Sequence, residues 1–145
     1  MLEEIRKIVK SDAGRDEKLE KICLLLKRRV PHYDWVGFYF AVERKKELVL
    51  GPFAGKPTDH TIIQYGRGIC GQTALLKKTF IVQDVSKETN YLSCSPTVKS
   101  EIVVPVFKSK AFVAELDIDS HKISPFNQED QKFLEKVSKI ISVLF

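Results

Sequence analysis

A cysteine and four acidic residues lie close together in sequence: Cys94, Glu101, Glu115, Asp117 and Asp119. Neighbouring carboxyl groups in a poorly solvated pocket raise one another's pKa, so one of them could keep its proton near neutral pH. A protonated carboxyl beside a thiol is the arrangement needed for general acid and nucleophilic chemistry. The alternative is a charged strand face open to water, the usual place for acids. The residues by themselves leave both interpretations open.

The other two cysteines occupy different sequence environments. Cys70 lies in the glycine-rich segment 66–71, beside the first amides of a predicted helix that follows it and runs to about Lys78. Free amides at a helix N-terminus bind anions and lower the pKa of a thiol, so on this ground alone Cys70 would be the nucleophile. Cys23 belongs to the apolar stripe of a predicted helix and is expected to be a buried small hydrophobe.

Three cysteines do not make a disulfide framework, and they lack the paired spacing of a zinc site. Asp117 and Asp119 on one strand offer too few oxygen ligands to predict a hard cation. The sequence therefore predicts no metal.

The acids lie on a predicted β-hairpin. Apolar residues alternate along 102–106 and again along 112–118, so each run has one apolar face and one face that carries the acids. A three-residue loop at 108–110 would set Glu101 opposite Asp117.

A second strand, predicted over 35–42, carries two aromatic residues on the face opposite to its apolar residues. Trp35 and Tyr39 share this face with Gly37. A glycine between two large rings leaves room for another group to approach the backbone, which favours a ligand site. Simple packing of the rings under a loop is the alternative.

The elements needed to position these residues indicate one α+β domain over residues 1–145, with a central, mostly antiparallel sheet. Helices at both ends would cover the apolar strand faces, and loops would cover the pocket on the other face. The long loop 84–99, which contains Cys94, is more typical of a functional loop than of a structural one. The predicted helices cover about 2–10, 15–29, a pattern that follows 66–71 and ends at about 78, and a segment capped by Asn127. The predicted strands cover 35–42, 47–53, 79–83 and the hairpin, and a short run at 60–65 precedes the glycine-rich segment.

Composition excludes several classes of protein. No apolar run approaches the ~20 residues that span a bilayer, and the N-terminus lacks the pattern of a secretory signal, so we expect a cytoplasmic protein without a membrane partner. The net charge is +5, but the basic residues are scattered, which favours a solvated surface over nucleic-acid binding.

Five segments taken together resemble the GAF-domain free methionine-(R)-sulfoxide reductases. They lie between residues 34 and 120 and read WVGFYF, LVLGPFAGKP, QYGRGICGQTA, KSEIVVPVF and LDIDS. The resemblance implies a GAF fold and reduction of free L-methionine-(R)-sulfoxide. A GAF domain that only binds and senses a small molecule is the alternative function, because this fold serves many ligands.

By the same resemblance, Cys94 attacks the substrate sulfur and Cys70 resolves the product as a disulfide. Many members have a further cysteine after the GKP segment, where this chain has Asp59, so a cycle of two cysteines is what remains. Ser95 stands where an aspartate often follows the nucleophile.

The resemblance also assigns the substrate pocket. Glu101, Asp117 and Asp119 would hold and activate the substrate, while Trp35 and Tyr39 would wall its methyl-sulfur end. No cofactor would be bound, and thioredoxin, reduced ultimately by NADPH, would supply electrons. The oligomeric state is open between monomer and homodimer. A cysteine hydrolase is disfavoured, because none of the histidines lies in a recognisable nucleophile motif: His32, His60 and His121.

Overall fold

The computed structural model describes residues 1–92 and 95–145. The helices are α1 (Leu2–Lys10), α2 (Arg15–Arg29), α3 (Gly68–Leu76) and α4 (Gln128–Ile141), and the strands are β1 (Trp35–Val42), β2 (Glu47–Ala54), β3 (Ile62–Gln64), β4 (Phe80–Val82), β5 (Ser100–Lys108) and β6 (Ala111–Ser120). Among these helices, none is long and apolar enough to cross a membrane.

The strands of this described part form one sheet in the order β3-β2-β1-β6-β5-β4, and all neighbouring pairs are antiparallel. The predicted antiparallel α+β plan is therefore confirmed. The two strands that carry most of the predicted site residues, β1 and β6, lie side by side at the centre. Their register pairs Trp35 with Asp119, Gly37 with Asp117 and Tyr39 with Glu115.

The N- and C-terminal helices cover one face of the sheet. Ile5, Leu26, Leu116 and Val137 are fully buried between them and the sheet. Burial of a large apolar side chain contributes about 1.5–3 kcal/mol to stability, so this layer is the main core. The other face receives α3, which contacts β5 and β6.

The terminal helix begins where the sequence predicted. Asn127 Oδ1 accepts a hydrogen bond from the amide of Asp130 at 2.9 Å, and Asp130 Oδ2 accepts one from the amide of Asn127 at 3.0 Å. This reciprocal capping satisfies two amides that would otherwise lack partners.

The predicted hairpin register is wrong by two residues. The turn has two residues, Ser109 and Lys110, both with positive φ, and a bulge follows Val106. Glu101 therefore lies opposite Asp119 and not opposite Asp117. A shift of two residues leaves the acids on their predicted face, because side chains along a strand alternate with a period of two.

Phe112 is an exception to the predicted faces. Its ring belongs to the buried cluster on the α3 side of the sheet, which also contains Trp35, Tyr39 and Cys70. Its ring centroid lies 6.1 Å from that of Tyr65 and 6.2 Å from that of Phe107. The adjacent bulge accounts for this, since a bulge breaks the strict alternation of side chains.

Candidate active site

The acid-bearing face of the hairpin is closed to water. Glu101, Glu115, Asp117 and Asp119 are between 0% and 5% exposed. The interpretation as a charged face open to solvent is therefore wrong. These carboxyl groups lie on the same face of the sheet as α3, which contacts β5 and β6, and two aromatic side chains of β1 are buried in the cluster on that face.

Burial shifts the acids toward their neutral forms. The pKa of Glu115 and that of Asp119 are raised well above their usual range, mainly because burial removes water from the carboxylate, and the charge of Asp117 adds to both shifts. Burial also raises the pKa of Asp117, although hydrogen bonding to Glu101 acts in the opposite direction. These directions agree with the expectation that at least one carboxyl keeps its proton near neutral pH.

Cys70 lies in α3 against this group of acids. The residue is 5% exposed, and its thiol donates a hydrogen bond to Glu101, with Sγ and Oε2 3.7 Å apart. Burial raises the pKa of the thiol well above its usual range, and the charges of Asp117, Glu115 and Glu101 raise it further. The expectation that the helix N-terminus gives Cys70 a low pKa is therefore wrong: desolvation and three nearby acids outweigh the helix dipole.

Asn90 closes the turn that starts α3. Its side chain donates to Gly66 O at 2.7 Å and accepts from the amide of Gly68 at 2.8 Å. The first amide of the helix is thus directed at Asn90 and not at the thiol. Gly68 has φ +64°, a conformation that glycine adopts at low cost. Sequence reasoning missed Asn90, because it lies in a loop without a recognisable pattern.

The two aromatic residues of β1 are fixed by backbone acceptors. Trp35 Nε1 donates to Lys56 O at 2.9 Å, and the Tyr39 hydroxyl donates to His60 O at 2.8 Å. The space above Gly37 is filled by the tryptophan itself, because a Cβ at that position would lie 2.3 Å from the Trp35 ring. The expected room beside this glycine therefore serves packing of the ring and not a ligand.

The site residues line two cavities of very different size. The larger, about 320 Å³, is lined by Trp35 and Asp119 together with Lys56, Ser95 and His121, among others. The smaller, about 10 Å³, is lined by four of the predicted site residues: Tyr39, Cys70, Glu101 and Asp117. The larger has the size of a small-molecule site.

Of the remaining two cysteines, only Cys23 lies among the described residues. Cys94 lies outside the described residues. Cys23 is fully buried in the main core, where its thiol donates to Pro52 O at 3.6 Å and burial raises its pKa. The prediction that Cys23 is a structural residue is confirmed. Ser95, next to Cys94 in the chain, shares a hydrogen bond of 2.8 Å with the Thr97 hydroxyl.

Glu115 is a site residue that the predicted set of substrate-binding acids did not include. It is fully buried, and neither carboxyl oxygen has a hydrogen-bond partner among the described residues; the same holds for Oδ1 of Asp117. Buried polar atoms without partners are rare in folded proteins. Its alternation with Asp117 and Asp119 along β6 was the signal that could have identified it.

The chain is similar to known GAF-domain proteins, and several of these relatives are named free methionine-R-sulfoxide reductases. The GAF domain family model matches residues 12–145. GAF domain-containing protein A of Dictyostelium discoideum is 37% identical over 97% of this chain and 87% of its own length. Free methionine-R-sulfoxide reductase of Escherichia coli is 34% identical over 82% of this chain and 70% of its own length. The X-ray structure of free methionine-R-sulfoxide reductase from Neisseria meningitidis in complex with its substrate superimposes with a TM-score of 0.93, at 35% identity, over 99% of this chain and 85% of that one.

Proposed function

The chain belongs to the GAF-domain family of free methionine-(R)-sulfoxide reductases, and we propose that it reduces free L-methionine-(R)-sulfoxide to methionine. The observation that carries this proposal is the buried group of carboxyls in contact with the Cys70 thiol. Sulfoxide sulfur becomes electrophilic when its oxygen is protonated or strongly hydrogen bonded, so a thiol reductase needs an acid in a dry pocket.

In the first step, the Cys94 thiolate attacks the sulfoxide sulfur while a protonated carboxyl of Asp117 or Asp119 donates to its oxygen. The oxygen is transferred to the Cys94 sulfur, which gives methionine and a sulfenic acid. The substrate sulfur gains two electrons, and the cysteine sulfur loses them. The raised pKa of both aspartates supports this role, because only a carboxyl that keeps its proton can donate it.

In the second step, the Cys70 thiol condenses with the sulfenic acid, so that a disulfide forms and water leaves. A thiol with a raised pKa needs a base when it reacts. Glu101 accepts the hydrogen bond from Cys70, and its ionised form is the group placed to take this proton. The proton then leaves with the hydroxyl as water.

The same acids account for a free amino acid as substrate. An ionised carboxylate among Glu101, Asp117 and Asp119 would bind the substrate ammonium, a charge that a peptide-bound methionine lacks. Trp35 and Tyr39 would hold the methyl-sulfur end against their rings. Trp35 and Asp119 line the 320 Å³ cavity, which supports this arrangement.

An external dithiol must reduce the disulfide for a second turnover, and we propose thioredoxin for this role, with NADPH as the ultimate source of its two electrons. No bound cofactor is needed in this cycle. A cytoplasmic location and a single domain over 1–145 stay predictions.

The decisive measurement is turnover of the two separated sulfoxide epimers, free and in a peptide, with dithiothreitol as reductant and methionine as the quantified product. We expect activity on the free R epimer alone. Binding of the sulfoxide without release of methionine would instead favour a GAF sensor. Activity on the peptide would contradict recognition of the free ammonium group.

A further inference from the structure

Three buried side chains form a compact group of sulfur and oxygen atoms. One atom each of Cys70, Glu101 and Asp117 lies within 4.8 Å of the other two. Tetrahedral ligands of zinc, with bonds of about 2.0–2.3 Å, lie roughly 3.5 Å apart. The distance of 3.7 Å between Cys70 Sγ and Glu101 Oε2 is already close to that spacing.

The space between these side chains has the size of an ion. All three line the cavity of about 10 Å³. A cavity of about 10–15 Å³ holds a single water molecule, so the space between these three side chains matches the size of one ion. It is distinct from the cavity of about 320 Å³ on which Trp35 and Asp119 lie.

Unpartnered oxygen atoms point independently to a missing cation. Asp117 is 2% exposed and Glu115 is fully buried, yet Asp117 Oδ1 and both oxygens of Glu115 lack a hydrogen-bond partner among the described residues. Buried carboxyl oxygens without a hydrogen-bond partner are rare, and a metal ion that displaces any proton on them would satisfy them.

We propose that Cys70, Glu101 and Asp117 form a binding site for a divalent metal ion of the zinc type. A thiolate ligand excludes calcium and magnesium, which prefer oxygen, while zinc accepts thiolate and carboxylate together. Binding exchanges the Cys70 thiol proton, together with any proton held by the Asp117 carboxyl, for the metal, and no electron is transferred.

The consequence for turnover rests on the proposed function. A metal held by Cys70 removes the thiol that resolves the sulfenic acid, and it occupies two of the acids assigned to the substrate. Zinc would therefore act as a reversible inhibitor of the reductase, released by a chelator.

The test is titration of the reduced protein with Cd²⁺, a spectroscopic substitute for Zn²⁺ whose bond to a thiolate gives an ultraviolet charge-transfer band. We expect a saturable band with one Cd²⁺ per chain. The band should persist in Cys23→Ala and Cys94→Ser and should be lost in Cys70→Ser. In Asp117→Asn the band should remain while the affinity falls by on the order of tenfold or more.

Circular dichroism of each variant separates loss of a ligand from loss of the fold, and Asp117→Asn keeps the test decisive if Cys70→Ser does not fold. Absence of a band in the wild-type protein, its persistence in a folded Cys70→Ser, or unchanged affinity in Asp117→Asn would overturn the proposal. Because the band does not depend on turnover, a protein that binds Cd²⁺ but does not reduce the sulfoxide would refute the proposed function alone.

Discussion

The thiol of Cys70 donates to the carboxylate of Glu101 across 3.7 Å, and this contact joins α3 to the hairpin at the buried end of the site. The two residues come from separate elements, so the contact depends on the tertiary fold. It gives the Cys70 thiol, to which we assign the resolving role, a nearby proton acceptor. The order of the two chemical steps can therefore be tested by removing one sulfur at a time.

Substitution of Cys70 by serine should preserve the first step and block the second. Without a recycling thiol, Cys70→Ser should release about one methionine per chain, because each chain holds one nucleophile, whereas Cys94→Ser should release none. Single-turnover quantification of methionine measures this, with Cys23→Ala as the control. The reverse pattern would exchange the roles of the two cysteines.

The buried carboxyl group of Glu115 should make the fold less stable than an apolar side chain at the same position would. Its carboxyl is buried without a hydrogen-bond partner among the described residues, and such a group costs about 1–3 kcal/mol. Glu115→Leu should therefore raise the free energy of unfolding by a similar amount, as measured by urea denaturation. Glu129→Leu, at an exposed position of α4, is the matched control and should change it little. A destabilised Glu115→Leu would mean that the carboxyl is held by favourable contacts.

Stability should also depend on pH through Glu115. Its pKa in the folded chain is raised above the 4.5 of an ordinary glutamate by burial, with a contribution from Asp117. Above pH 4.5 the unfolded chain has lost this proton while the folded chain still holds it, so the free energy of unfolding falls as pH rises. The pKa values of Asp117, Asp119 and Cys70 are also raised in the folded chain. Each of these groups therefore lowers the free energy of unfolding as pH rises above its own pKa in the unfolded chain.

Urea denaturation between pH 4.5 and pH 8 in the presence of a chelator measures this slope, and Glu115→Leu should make it shallower. An equal slope in the variant would show that the folded chain ionises Glu115 at its ordinary pKa.

Replacement of Gly37 should displace the tryptophan of the site. A Cβ there would lie 2.3 Å from the Trp35 ring and 2.8 Å from Phe53 Cβ, so Gly37→Ala should cost about 1–3 kcal/mol of stability. Trp35 is the chain's one tryptophan, so its fluorescence reports the displacement directly. Gly14→Ala is the control, since nothing lies within 4 Å of a Cβ at that position. An unchanged spectrum and melting temperature in Gly37→Ala would contradict the close packing.

Alternation along the strands was sufficient to predict which face the acids of the hairpin and the two aromatic residues Trp35 and Tyr39 occupy. The prediction was robust because the two-residue error in the hairpin register left Glu101 and Asp117 on the same face. The turn itself was harder to predict, since Ser109 and Lys110 both adopt a positive φ that neither residue type favours.

The parts of the site that the sequence did not reveal are contacts between distant segments. Asn90 binds the turn before α3, and the Trp35 ring covers Gly37. The pKa of the Cys70 thiol was predicted to be lowered, whereas it is raised. The rule for helix ends is local and could not include carboxyl groups that the hairpin brings from 31 or more residues away.

The two strands at the margins of the sheet, β3 and β4, are only three residues long. Short edges expose few unpaired backbone groups, which discourages strand addition by another molecule. Addition of a foreign strand alongside β3 or β4 is therefore disfavoured, and the ladder of backbone hydrogen bonds stops at these two strands.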